Sequence, residues 1–189
     1  MRPPASAAQL RWRIQLLSWL FILGLVLSGA TAIPLPTELD WLVKLTGARQ
    51  LSATPASTAP PAWAFWLTHV QAALRDVAAT HPFLFYGTDW LAFGHFVIAI
   101  AFVGALRDPV RNCWLFTFGL IACAMVIPYA LVFGALRGIP FWWRLIDCSF
   151  GVFGFVPLWF CHRWVRELAA ASPGTVDPLA RVEEAAAKD

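Results

Sequence analysis

Residues 112–136 run for 25 positions without a single charged side chain. As a helix this stretch would rise about 37 Å, enough to cross the roughly 30 Å of hydrocarbon in a bilayer. Helices of soluble domains are seldom apolar all the way round. Three further stretches, residues 12–33, 88–106 and 141–164, have similar length and character. With no water in the membrane interior, each must satisfy its backbone hydrogen bonds within itself, so each is expected to be a helix. Composition agrees, with 59% hydrophobic and 13% charged residues. Eleven Trp and fifteen Phe suit a bilayer, which takes Phe inside and Trp at its boundaries. The expected fold class is all-α, an integral membrane four-helix bundle with a two-helix amphipathic extracytoplasmic loop.

Orientation follows from the Lys and Arg residues near the spans. Nine lie on the side of the two termini and five on the other. The bias is strongest in the turn at residues 107–111, with Arg107 and Arg111, and after the last span, with Arg163 and Arg166. Both termini are therefore expected in the cytoplasm of a bacterial inner membrane, with residues 1–11 and 165–189 inside and the latter a mostly disordered tail. Residues 34–87 and the turn at 137–140 then lie outside. A cleaved secretory signal is the rival reading of residues 12–33, since Ala30-Thr31-Ala32 resembles a peptidase site. The apolar run over 16–33 is longer than a typical signal core and Pro34 follows it, which favours a retained anchor.

Within the outer loop, Thr37 reads as an N-cap for a short helix over 38–46 that stops at Gly47. Residues 48–61, rich in Ala, Ser, Thr and Pro, read as a flexible connector. An amphipathic helix follows over 62–79, with Trp63 and Trp66 as interfacial anchors.

Ionisable groups inside a span are costly and usually face protein or water. His95 and Asp147 each lie seven residues inward from the outer end of their segments, about 10 Å deep. Tyr129 is at similar depth beside Pro128, which should kink the third segment and free a carbonyl. Arg144 precedes Asp147 by three residues and can pair with it, and Ser28 approaches the same layer. These residues, His95, Tyr129, Arg144, Asp147 and Ser28, define an expected polar pocket in the outer half of the bundle. Gly24 and Ser28 in the first span, and Gly151 and Gly154 in the last, offer small faces for close helix packing. The competing reading is purely structural: Arg144 reaches the headgroups, Asp147 neutralises it and His95 joins two helices.

Little else points to chemistry. His69 and His81 lack a third ligand at metal spacing, and His95 has no matched partner for a haem, so neither metal nor cofactor is expected. The four Cys form no C-x-x-C pair and read as packing residues. A net charge of +3 without a basic stripe gives no reason to expect nucleic acid. The expected partners are the lipid bilayer and, beyond it, a second copy or other membrane subunits. A structural or accessory subunit is the leading function. The alternatives are a small-molecule or proton-coupled carrier acting as an oligomer, and a quinone-linked or other membrane enzyme using His95 and Asp147.

Overall fold

A computed structural model describes residues 6–53 and 60–171. Arg2, Arg181 and Lys188 of the charge count, residues 54–59 of the connector and residues 172–189 of the tail lie outside the described residues. The elements are helices α1 (Ala7–Ala32), α2 (Leu35–Thr46), α3 (Ala48–Ser52) and α4 (Ala62–Thr80), a 3-10 turn (Pro82–Phe85), and helices α5 (Tyr86–Arg107), α6 (Cys113–Leu136) and α7 (Phe141–Ala170). α1, α5, α6 and α7 are long and apolar enough to cross a membrane. The protein is thus a multi-pass, all-α membrane protein with a helical loop between its first two spans, the fold class read from the sequence.

Several boundaries differ from the sequence reading for local reasons. α1 starts at Ala7, ahead of the apolar run, because Ser6 and Gln9 cap it reciprocally: the Ser6 N–H donates to Gln9 Oε1 at 3.0 Å and the Gln9 N–H to Ser6 Oγ at 3.3 Å. α2 starts at Leu35, so Thr37 is not its cap; Pro36 sits in the first turn, where a helix needs no N–H. Residues 48–52, read as connector, form α3. α7 runs on to Ala170, through what was read as the start of a disordered tail, because Val165 and Leu168 extend the buried stripe of Leu158 and Cys161.

The chain divides into two compact units. One contains residues 24–98, and the other is formed by the segments on either side of it.

In the flanking-segment unit, α6 and α7 are neighbours joined by a four-residue turn. Gly138, at φ +71°, ends α6 in the left-handed conformation, its N–H donating to the Ala135 carbonyl and that of Ile139 to the Gly134 carbonyl. This double bond is the Schellman stop, and Pro140 behind it prevents continuation. Along the hairpin small residues let the helices close. A Cβ on Gly151 would lie 2.5 Å from the Cys123 carbonyl oxygen, and one on Gly154 would lie 2.8 Å from Cys123 Sγ. A Cβ on Gly119 would meet Leu158 at 2.7 Å and Phe102 at 3.1 Å. The first part of α1 joins through Phe21, whose ring lies 4.7 Å from that of Phe102, and through the Ile14 carbonyl, which accepts from Cys161 Sγ at 3.8 Å. Cys123, Cys148 and Cys161 are buried free thiols. α6 and α7 stay helical through Pro128 and Pro157.

In the 24–98 unit, α2 buries Leu39 and Val43, and α4 buries Ala64, Leu67 and Gln71. Gly47 (φ +66°) is at once the C-cap of α2 and the N-cap of α3. The end of α1 meets the beginning of α5 at Gly29, where a Cβ would stand 2.8 Å from the Phe96 ring and 3.0 Å from the Ala92 carbonyl oxygen.

Candidate functional site

The residues expected to share a pocket fall in different units. His95 and Ser28 belong to the 24–98 unit; Tyr129, Arg144 and Asp147 belong to the other.

His95 is half-buried, and its Nδ1 donates to the Leu91 carbonyl one turn back at 2.8 Å. The carbonyl can only accept, so this bond places a proton on Nδ1. Ser28 is exposed, its carbonyl accepting from the Thr31 hydroxyl at 3.2 Å. Gly24 also differs from expectation: a Cβ there would meet nothing within 4 Å. The tight approach in this helix is at Gly29 instead, on the side turned to α5, a choice that spacing along one helix does not reveal.

Arg144 does not pair with Asp147. Among the described residues the ion pairs are Asp40 with Arg75 and Arg163 with Glu167. Instead the Arg144 guanidinium crosses the hairpin, donating to the Leu131 carbonyl at 3.1 Å and lying 5.3 Å from the Phe141 ring centroid. The methylene stem runs along Gly134, where a Cβ would stand 2.6 Å from both Cγ and Cδ. A cation beside the last turns of α6 also meets the negative end of that helix dipole. Three favourable interactions across the turn therefore outweigh one along the helix, and Arg144 clasps α6 to α7. Tyr129 is 64% exposed, and its ring lies 4.3 Å from that of Phe133, tilted by 35°. It lies on an outward stripe of α6 that comprises Trp114, Phe118, Ile121, Met125, Val132 and Leu136, all exposed.

The two tryptophans expected as interfacial anchors lie on α4, Trp63 exposed and Trp66 half-buried. On α2, Trp41 and Leu45 point outward and the Lys44 ammonium lies 5.9 Å from the Trp41 ring. The turn between α5 and α6 closes on itself: Asn112 Nδ2 donates to the carbonyls of Gly104 and Asp108, and the Arg111 N–H to Asp108 Oδ1.

The most connected polar group among the described residues was not legible as a site in the sequence. Gln71, only 5% exposed, donates from Nε2 to Asp40 Oδ1 at 2.7 Å, and its Oε1 accepts from an Arg49 NH2 group at 2.8 Å. The same Asp40 oxygen accepts from Arg75, at 3.1 Å from Nε and 2.9 Å from NH2. Hydrogen bonds from Arg75 and Gln71 hold the Asp40 carboxyl below its ordinary pKa. One buried amide thus ties α2, α3 and α4 together. Beside it is an open cleft of about 410 Å³ lined by Arg49, Ser52, Ala53, Thr68, Gln71, Ala72 and Arg75. Only Gln71 and Arg75 share a visible helical repeat; Asp40 and Arg49 join them through the turn at Gly47, which spacing does not encode. No group of three or more His, Cys, Asp or Glu placed to hold a metal ion occurs among the described residues.

Compared with known proteins, the chain matches no family model, and no curated protein or solved structure is significantly similar to it.

Proposed function

We propose that the protein is a structural or accessory subunit of the bacterial inner membrane, with both termini in the cytoplasm and the α2 to α4 loop outside, and that it packs against a partner through the outward face of α6. One observation carries this reading. Tyr129 stands in the middle of the exposed apolar stripe of α6, seven residues from the helix end and so about 10 Å from it. A phenol hydroxyl turned towards hydrocarbon lacks an acceptor, which disfavours that position unless another polypeptide supplies one. The use of Arg144 to hold α6 against α7 supports the same reading, since it commits that charge to architecture.

Site-specific photo-crosslinking tests it. A benzophenone side chain at Met125 or Val132, on the Tyr129 stripe, is expected to give a discrete higher-mass adduct in native membranes, whose mass separates a second copy from a different subunit. Lipid adducts alone at both positions would overturn the proposal. The orientation is checked independently with a membrane-impermeant maleimide on intact cells. Cys113, exposed at the α5–α6 turn, should stay unlabelled while a Thr80→Cys variant reacts; the reverse pattern inverts the topology.

A further inference from the structure

We infer that the cleft between α3 and α4 is a binding site for a singly charged phosphate group, held between Arg49 and Arg75. Three features of the cleft support this, and all lie within the 24–98 unit.

The first is charge. Arg49 and Arg75 bring two permanent positive charges, while the network contains one carboxylate, that of Asp40. One positive charge is left over, matching the single negative charge of a phosphodiester or a monoanionic phosphate. The second is donor geometry. A guanidinium carries five N–H donors in a planar fork. Arg49 donates through one NH2 group to Gln71, and Arg75 directs Nε and one NH2 to Asp40. Both side chains line the cleft, and paired N–H donors of this kind are what a phosphate's oxygens accept best. Gln71 limits their motion, because both ends of its buried amide are engaged and it spans from Arg49 to the carboxylate that holds Arg75. Arginine forks anchored in this way have already lost rotamer freedom before a ligand arrives.

The third feature is a pair of hydroxyls on the wall of the cleft, Ser52 and Thr68. Ser52 Oγ stands 2.8 Å from the Ala48 carbonyl oxygen, Thr68 Oγ1 stands 3.0 Å from the carbonyl oxygens of both Ala64 and Phe65, and the two hydroxyl oxygens are 3.2 Å apart. An oxygen of a bound anion in the cleft gives one of them a stronger, charge-assisted acceptor than a helix carbonyl already served by its own backbone N–H. The occupant could be a phospholipid headgroup, since α2 begins within three residues of the end of the α1 span, or a free phosphate from the outer compartment. The recognition chemistry is the same.

Full-length protein distinguishes these sources. In one arm, wild type and Arg49→Ala are purified into nanodiscs of phosphatidylglycerol or of uncharged glycolipid, and the lipid retained on release is counted by native mass spectrometry. In the other, their affinity for inorganic phosphate is measured in uncharged detergent by calorimetry, with chloride at matched ionic strength as control. Wild type is expected to hold its phosphate-bearing ligand at least about tenfold more tightly than Arg49→Ala in one arm, the loss that one charge-assisted fork contact predicts. A difference in the first arm assigns a lipid headgroup, and one in the second assigns a free phosphate. Equal behaviour of the two proteins in both arms, or no binding by wild type in either, overturns the inference. Arg49 is exposed and donates to the buried Gln71 Oε1, so its truncation costs the loop one buried hydrogen bond and should still leave the helices formed. If circular dichroism shows that it does not, Thr68→Val, which removes only a hydroxyl from the cleft, decides by the same comparison: a weakened ligand supports the site and an unchanged one overturns it.

Discussion

The α6–α7 hairpin and the α2 to α4 loop solve the same problem, holding neighbouring helices in register, with opposite chemistry. In the hairpin the contacts are apolar and close, and specificity comes from what is missing: side chains at Gly119, Gly151 and Gly154. Nothing hydrophobic drives one helix to another in lipid, so shape complementarity must do it. In the loop a buried Gln71 amide joins three helices by directed hydrogen bonds. There water competes for every partner, so burial of the amide, more than the bonds themselves, makes the arrangement costly to abandon. The hairpin should therefore be sensitive to added volume, and the loop to lost polarity.

The largest effect should come from Gly151→Ala. Its new Cβ would meet the Cys123 carbonyl oxygen at 2.5 Å, a backbone atom that cannot swing aside, so the helices must part at a cost of about 3 kcal/mol. Thermal unfolding in detergent should fall by about 10 °C, while Gly24→Ala, where the Cβ meets nothing within 4 Å, should leave it unchanged. Equal effects at the two glycines would erase the packing half of the contrast.

Gln71→Leu tests the other half. It keeps the volume and removes the amide, leaving the Asp40 and Arg49 groups short of a partner at a cost of about 2 kcal/mol. Hydrogen exchange should accelerate in α3 and α4 and remain unchanged in α6 and α7; a uniform rise along the chain would mean that the amide does not act locally.

Acid should separate the regions next. Asp40 has its pKa lowered from 3.8 by Arg75 and Gln71. A depressed carboxyl contributes stability above its unfolded pKa and loses it as pH falls through the folded value. Exchange protection in α2 and α4 should accordingly be flat around neutrality and decline below about pH 4, whereas Asp40→Asn should start lower and decline less. The smallest effect belongs to Arg163→Ala. It removes an exposed pair with Glu167, worth a few tenths of a kcal/mol, about 0.5 at most, and a shift in melting temperature beyond about 2 °C would mean that the end of α7 carries more than its buried Val165 and Leu168.

How far the sequence reveals these features depends on the range of the forces behind them. The four spans are legible because lipid imposes one long apolar run on each. The ends of α1 and α7 are not, since a Ser-Gln cap and two more apolar turns lie outside the hydropathy signal. Gly151 and Gly154 can be picked out as a small face, but Gly24 and Gly29 look alike until the neighbouring helix selects one. Equal depth along two spans makes His95, Asp147 and Arg144 candidates for one pocket, and depth carries no information on rotation about each helix. Arg144 follows the stronger local option, the carbonyl of Leu131 and the stem-wide gap at Gly134. The Arg49 and Arg75 cleft is illegible for a further reason: its residues come from three helices whose arrangement turns on one glycine.

That glycine has a consequence for how the loop could change over time. Because Gly47 closes α2 and opens α3 with no spacer, the two helices are in phase with each other. A single inserted residue at this elbow would advance α3 by about 100° about its axis, carrying Arg49 off Gln71 and away from Arg75. Length variation should therefore be tolerated on the far side of α3, after Ser52, and selected against at Gly47, so that the short segment between 47 and 52 keeps time for the whole loop.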